Sequence, residues 1–575
     1  MDSMARRQPT PSPGPPFELH VQRLGPLPLV NHFLDRLGLE RLLDKHVPTP
    51  DRRCTLAYAK ALGVLLRSVI VEREPIYRHQ EVVEGFHAAC FGLDEGEVGR
   101  LRDDQIGRAL DRLFSADRAT LLTEVVVAAA RRFDIRLDEL HNDSTTVRLC
   151  GQYRGARGRT IRGKRAPWIT YGFSKDHRGD LKQLLFILTT SRDGGIPVQF
   201  RCTDGNASDS TTHMQTWEAL CRATGGPDFL YVADSKLCAK ETMDAITRRG
   251  GRLVTVLPRT RLEDGEFRKW IQDNEPEWEL VWDRPNPRRK GAARDRWYVF
   301  RYPLPSSEGW PVVWVWSALL ALHTERRRRE RLAAAVEALG DEDRKLQGPR
   351  RGRRSHARLK ERAEEIVAKH VVGRYLRVQL YQEDVERYRQ ERRGRPGPKT
   401  RYRKELRKRW RIRWQTDEEA IAFDHKSDGM YPLLTNDRAL TPAQVLEAHK
   451  RQPVIEKRFE QTKTVHEIAP VLLKNEGRVE ALFFVYFLAL LLQALIEREL
   501  RRAMEREGIE ELPLYPEQRG SKRPTFLQVL RLFSLATRNV LTHGGDVVQV
   551  FEQDLTEVQK QTLRLLGVPQ QAFRL

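Results

Sequence analysis

Cysteine is sparse in this sequence and carries no pairing signal. Cys54, Cys90, Cys150, Cys202, Cys221 and Cys238 include no C-x-x-C spacing, so neither a zinc site nor a disulfide framework is indicated and a reducing interior suits them. The opening residues, MDSMARRQPTPSPGPPFE, lack the apolar core of a secretory signal and are rich in proline and polar groups; a disordered leader over 1–18 is expected. A long unbroken apolar run is missing as well. Residues 481–492 (ALFFVYFLALLL) come nearest, but Gln493 and Glu497 interrupt them before bilayer length, which predicts a buried helix, no membrane partner and a cytoplasmic location. Acidic charge is also in deficit. Lys and Arg number 101 against 79 Asp and Glu, for a net charge of +22, and such an excess favours a polyanionic partner over a neutral one.

Apolar residues recur at three- and four-residue spacing in LVNHFLDRLGLERLLDKH, LAYAKALGVLLRSVIV, IGRALDRLF and LLTEVVVAAARRF. They predict a helical N-terminal domain over 19–133, a candidate DNA-binding module. Within it Asp103 and Asp104 are adjacent, so they do not face each other on a helix, and an N-cap role is expected of them. From Leu137 the period becomes that of strands, in LDELHNDST, LKQLLFILTTS and GIPVQFRCTDG, the last two joined by an Asp-Gly-Gly hairpin signal. A helix near 211–223, the strand FLYVAD, a helix over 239–249 and the strand RLVTVLP follow. This order describes an α/β mixed sheet with helices on both faces, whose first part covers 134–258.

An insertion over 259–436 comes next. Its runs WELVWD, RWYVFRYPL and PVVWVWSALLAL predict an antiparallel sheet, and six of the eleven tryptophans lie in or beside them (Trp278, Trp282, Trp297, Trp310, Trp314 and Trp316). Residues 323–415 read as polar and helical, with 31 Lys or Arg against 14 Asp or Glu. That stretch is either a solvated helical hairpin turning at 392–401 or a surface for the DNA backbone. The segment TRYRKELRKRWRIRW (400–414), with one acid and two exposed-looking tryptophans, favours the second. Residues 437–500 supply the helices that complete the core, and 501–575 a C-terminal helical region.

Three acids stand at the ends of these elements. Asp143 in HNDSTTV follows the strand arriving through LDEL, with Ser144, Thr145 and Thr146 placed to bond its carboxylate or the local backbone. Asp234 closes FLYVAD at the C-terminal edge of the sheet, where open α/β sheets take ligands. Glu456 lies in VIEKRFEQTK on a helix opening near Pro453, with Lys463 two turns along the same face. Two aspartates on neighbouring strands and a glutamate on a facing helix can hold a pair of divalent cations, which cleaves or joins phosphodiesters. Taken singly, each acid also has an ordinary reading as a turn residue or as part of an amphipathic helix. Asp204 and Asp209 read as turn and N-cap residues. His177 reads as a phosphate contact or a solvated loop residue, and His141 as a partner behind Asp143 on the same side of its strand.

Asp143 in N-D-S-T, Asp234 in V-A-D, the strand-like DGMYPLLTN (428–436) and E-K-R-F-E-Q-T-K (456–463) resemble the signature of DDE transposases from bacterial insertion sequences. More narrowly they resemble the insertion-sequence-four superfamily. The likeness spans roughly 137–500, and residues 19–133 resemble an N-terminal domain found in one branch of these enzymes. The resemblance implies a ribonuclease H-like core interrupted by a β-rich insertion before the glutamate helix. It implies catalysis by Asp143, Asp234 and Glu456 with two Mg2+ ions per active site, Mn2+ serving as a substitute, and Lys463 on phosphate. The family motif places a tyrosine and an arginine ahead of the glutamate; here those positions are His449 and Gln452. Losing the arginine removes a bidentate phosphate clamp, leaving Arg451 or Lys457 to supply charge. The implied activity is cutting of terminal inverted repeats and strand transfer into target double-stranded DNA by a homodimer, in a bacterial cytoplasm at the nucleoid. A nuclease without strand transfer and an inactive DNA-binding relative are the alternatives.

Overall fold

The computed structural model describes residues 17–49, 54–72, 74–149, 151–175, 178–208, 212–285, 294–348, 355–465, 473–552 and 554–574. The leader up to residue 16, Cys150, His177 and Asp209 lie outside them. The protein is mixed α/β. Its chain builds two compact units, one from residues up to Thr255 together with those from Glu447 onward, the other from Val256–Leu446.

The first unit opens with a strand, β1 (Phe17–Arg23), followed by helices α1 (Leu27–Leu37), α2 (Leu39–His46), α3 (Tyr58–Val71), α4 (His79–Glu84), α5 (Glu95–Val98), α6 (Asp103–Ser115) and α7 (Arg118–Phe133). The expected helical spacing is realised, with Leu, Val, Ile and Phe side chains of α1, α3, α6 and α7 buried. Asp103 and Asp104 do not cap α6. Arg102 is the N-cap, and the two carboxylates occupy the first turn, where the helix dipole favours them.

A mixed sheet follows: β2 (Glu139–Leu149), a two-residue pair β3 (Thr160–Ile161) and β4 (Lys164–Arg165), then β5 (Lys182–Ser191), β6 (Pro197–Thr203), α8 (His213–Thr224), β7 (Leu230–Ala233), α9 (Lys240–Arg248) and β8 (Arg252–Val256). The strand order is β6-β5-β2-β7-β8. Strands β6, β5 and β2 run antiparallel, and β7 and β8 continue parallel to β2. The turn between β5 and β6 uses Gly194 and Gly195 at φ 76° and 63°, a backbone conformation that glycine adopts without steric cost.

The second unit contains α10 (Leu262–Asp273), β9 (Glu279–Pro285), β10 (Arg294–Arg301), β11 (Val312–Ser317), α11 (Ala318–Gln347), α12 (His356–His370), β12 (Leu376–Gln390), β13 (Tyr402–Thr416), α13 (Glu418–His425) and β14 (Met430–Thr435). Strands β9, β10, β11 and β14 form the expected antiparallel sheet. Trp314 is fully buried and stacks on Phe267 at 3.6 Å. The reading of 323–415 as helical throughout is corrected. After α11 and α12 the chain forms a long β-hairpin, β12 paired with β13 from Leu376↔Thr416 to Gln390↔Tyr402. Its inner row, Leu376, Val378, Leu380, Trp410, Ile412 and Trp414, packs against Ala335, Leu339 and Ile366. The period is therefore two, and Trp410 and Trp414 are core-facing rather than exposed.

The chain completes with α14 (Pro442–Arg451), α15 (Pro453–Glu460), α16 (Glu476–Arg506), α17 (Phe526–Phe533), β15 (Thr537–His543), β16 (Asp546–Phe551) and α18 (Glu557–Leu566). Two expectations change here. The C-terminal region is not all helical, because β15 and β16 form a hairpin turning on Gly544 and Gly545, and residues from Phe17 are ordered as its third strand. The apolar run 481–492 is a core helix, as read from sequence. Among the described residues α16 alone is long and apolar enough to cross a membrane, and 89% of its most apolar window is buried within the protein.

Candidate active site

Strand register brings the two aspartates together. Parallel pairing of β2 with β7 runs from Glu139↔Leu230 to Asn142↔Ala233, and one residue further on both strands lie Asp143 and Asp234. Asp143 is not at a strand end. The β-branched residues after it carry β2 on to Leu149, so this carboxylate sits mid-strand, half-buried, with Oδ1 accepting the Ser144 N–H at 2.7 Å. Asp234 follows the last residue of β7, where Oδ1 accepts from the Lys236 N–H at 3.1 Å and its backbone carbonyl accepts from the Thr255 hydroxyl at 2.7 Å.

Alternation along β2 decides which face the pair shares. Asn142 looks toward α8, accepting from Thr189 Oγ1 at 2.9 Å and lying 3.5 Å from His213. Glu139, His141 and Asp143 look the other way. On that side Arg451 donates to both Glu139 oxygens at 3.0 and 2.9 Å, and Phe459 of α15 meets Phe186 edge-on. The face that carries Asp143 is thus the one covered by α15. His141 serves Glu139, at 2.9 Å.

Helix α15 is anchored from beneath. Ile455, Arg458 and Phe459 are buried, while Glu456 and Lys457 are exposed. Arg458 donates to the carbonyls of Gly194 and Gly195, both at 2.9 Å, to Gln461 at 2.7 Å and to Glu497 of α16 at 2.9 Å. Burial pushes the Glu497 carboxyl up, but Arg458, Arg501 and the Phe526 N–H hold it below its ordinary range. The two residues replacing the family's tyrosine and arginine differ in setting. His449 is half-buried with its Nδ1 shielded from solvent, and desolvation, with Lys450 and His141 nearby, lowers its imidazole to about 4. Gln452 is the N-cap of α15 and half-buried. Arg451 is committed to Glu139 and Glu447, so it does not stand in for the missing clamp. Lys457 makes no ion pair among the described residues and is the better-placed cation; desolvation lowers its pKa. Lys463 is half-buried in the irregular turn Gln461–Val465 that continues α15.

Sequence reasoning missed Lys175. Its ammonium lies 3.8 Å from Asp143 Oδ1 and donates to the Ser144 carbonyl and hydroxyl at 2.6 and 2.8 Å. The segment leading to it, PWITYGFSK, interleaves exposed Trp168, Tyr171 and Phe173 with a base, and that composition was the available signal. Asp204 ties down the same loop, accepting from the Trp168 N–H at 2.8 Å and from Arg165.

Among the described residues no three His, Cys, Asp or Glu side chains gather as a metal-ligand group. Asp143 and Asp234 supply neighbouring hard oxygen donors of the kind Mg2+ takes; Glu456, exposed on α15, does not complete the set. In the second unit, Arg407, Lys408 and Arg409 of β13 carry no ion pair among the described residues, whereas Arg403 and Lys404 nearer the turn are paired with Glu405 and Glu386.

Residues 19–127 match the family model described as Domain of unknown function (DUF4277). No curated protein matches the chain. Among solved structures, a piggyBac transposase synaptic complex with hairpin DNA is similar at 10% identity and a TM-score of 0.24. The alignment covers 52% of this chain and 63% of that one, so this chain spans under two thirds of its length.

Proposed function

We propose that this chain is a DDE-type DNA transposase with a ribonuclease H-like core. The observation that carries the reading is the β2–β7 register, which makes Asp143 and Asp234 neighbours on the face covered by the helix bearing Glu456. The strand order, three antiparallel strands followed by two parallel ones, is what such a core expects, and the basic hairpin of the second unit is the complement of a DNA backbone. When bound, a pair of Mg2+ ions would activate the attacking oxygen and stabilise the leaving one. Asp143 and Asp234 would hold them with Glu456, while Lys457 and Lys463 bind the phosphate and Lys175 sets the charge beside Asp143. The DNA ends would be cut at the element's inverted repeats, joined to target DNA, and handled by a homodimer.

A second reading rests on the same site. Glu456 does not join the aspartates, and the Lys175 ammonium lies against Asp143, which favours a protein that binds DNA without cutting it. A Mg2+-dependent cleavage assay on a duplex carrying the element's ends separates the two. Asp234→Asn is expected to lose cleavage while keeping binding. A native chain that binds ends and never cuts them refutes the transposase; cutting without end joining leaves a nuclease.

A further inference from the structure

We propose that a cavity in the second unit binds phosphate groups of a nucleic-acid backbone. The cavity, about 590 Å3, lies among α10, α11, α13 and the residues preceding β12. Six arginines and three aspartates line it, an excess of three positive charges.

The pairing pattern shows which charges are spare. Arg328, buried, is bound to Asp428, which His425 also approaches at 3.2 Å. Arg268 grips Asp264 through two nitrogens and donates to Ser427 at 2.6 Å. Arg374 and the Tyr375 hydroxyl hold Asp424 at 2.9 and 2.7 Å. All three aspartates are thereby neutralised. Arg259, Arg327 and Arg331 are exposed and have no hydrogen bond or ion pair among the described residues.

Helix α11 provides an internal comparison. Arg326 and Arg329 lie off the cavity, and each meets an acid one turn away, Glu330 at 3.6 Å and Glu325 at 2.7 Å, the usual arrangement of a solvated face. Arg327 and Arg331 face the cavity one turn apart, and no acid answers them. Like charges lining one concavity raise its potential and attract an anion. Guanidinium forks match phosphate oxygens in bidentate geometry. The floor of ion pairs holds the concavity open without spending the rim. Tyr375, held by Asp424, and His323 are the ring side chains in a lining dominated by guanidinium groups, so backbone rather than base recognition is implied, and with it contact independent of sequence.

The proposal concerns binding alone and stands whether or not the carboxylates cut DNA. It is tested on the full chain by anisotropy of a labelled duplex in EDTA across a salt series. We compare Arg327→Ala/Arg331→Ala with the equal-charge control Arg326→Ala/Arg329→Ala; all four side chains are exposed, and circular dichroism checks that both variants fold. Loss of two phosphate contacts lowers the slope of log K against log salt by about 1.8, and the control leaves it unchanged. Equal slopes for the two variants, or a native slope in the cavity variant, overturn the proposal. Titration with inorganic pyrophosphate distinguishes a small-anion site: saturable binding that the cavity variant loses, with no change in its DNA slope, also overturns it.

Discussion

Arg458 is where the fold and the candidate site are most tightly joined, and replacing it has a calculable effect. The residue is 2% exposed, and its guanidinium satisfies Gly194, Gly195, Gln461 and Glu497 at once. Arg458→Met keeps much of the volume but leaves Glu497, itself 1% exposed, with Gln461, the Phe526 N–H and Arg501 at 3.5 Å. Breaking a buried pair on one side costs about 3–5 kcal/mol, because the remaining charge stays desolvated. Removing both partners in Arg458→Met/Glu497→Leu should recover most of that loss, since an apolar replacement of a buried pair is often neutral. Urea unfolding followed by far-UV circular dichroism measures both. Tryptophan emission is the wrong probe, because nine of the eleven tryptophans lie between Trp270 and Trp414, in the other unit. A single variant that loses less than about 1 kcal/mol, or a double variant no more stable than the single, refutes the view that this pair fixes α15.

Two further substitutions have clear signs. The His449 imidazole is lowered to about 4 against an ordinary 6.5, so between those values the unfolded chain binds more protons than the folded one. The contribution to stability is fully present above pH 6.5 and is lost as pH falls toward 4, about 3 kcal/mol in all. His449→Phe should therefore flatten the decline in melting temperature between pH 7 and pH 5, and a variant whose decline equals that of the native chain contradicts the assignment. Gly429 has φ 77°, and a Cβ there would sit 2.5 Å from the Ala321 backbone nitrogen and 2.6 Å from the Ser317 carbonyl oxygen. Gly429→Ala is expected to cost at least about 2 kcal/mol, lowering the midpoint seen by tryptophan emission; an unchanged midpoint would show that the backbone there yields freely.

Local periodicity made much of the fold legible, and its failures have specific causes. Helices α1, α2, α3, α6 and α7 declare themselves through spacing of 3.6, and strands β5, β7 and β8 through short apolar runs that are buried along nearly their whole length. The β12–β13 hairpin does not, since its outer row and its turn are so rich in arginine that charge masked the alternation of Leu376, Val378 and Leu380 opposite Trp410, Ile412 and Trp414. In the sequence Glu497 reads as a break in an apolar run. It is instead the acid that holds Arg458, a role visible only once α15 and α16 are adjacent. The same limit governs the site. Sequence could nominate Asp143 and Asp234, and register makes them neighbours, yet it could not show that Arg451 was taken by Glu139 or that Lys175 reached Asp143, because both are contacts between distant segments. Charge alone is therefore a poor guide to where an anion binds in this protein. The 31 basic residues of 323–415 are a property of composition, whereas which of them lack a carboxylate partner among the described residues, Arg327 and Arg331 on α11 and Arg407, Lys408 and Arg409 on β13 among others, is a property of pairing, and it is such residues that a polyanion can reach without first displacing an acid.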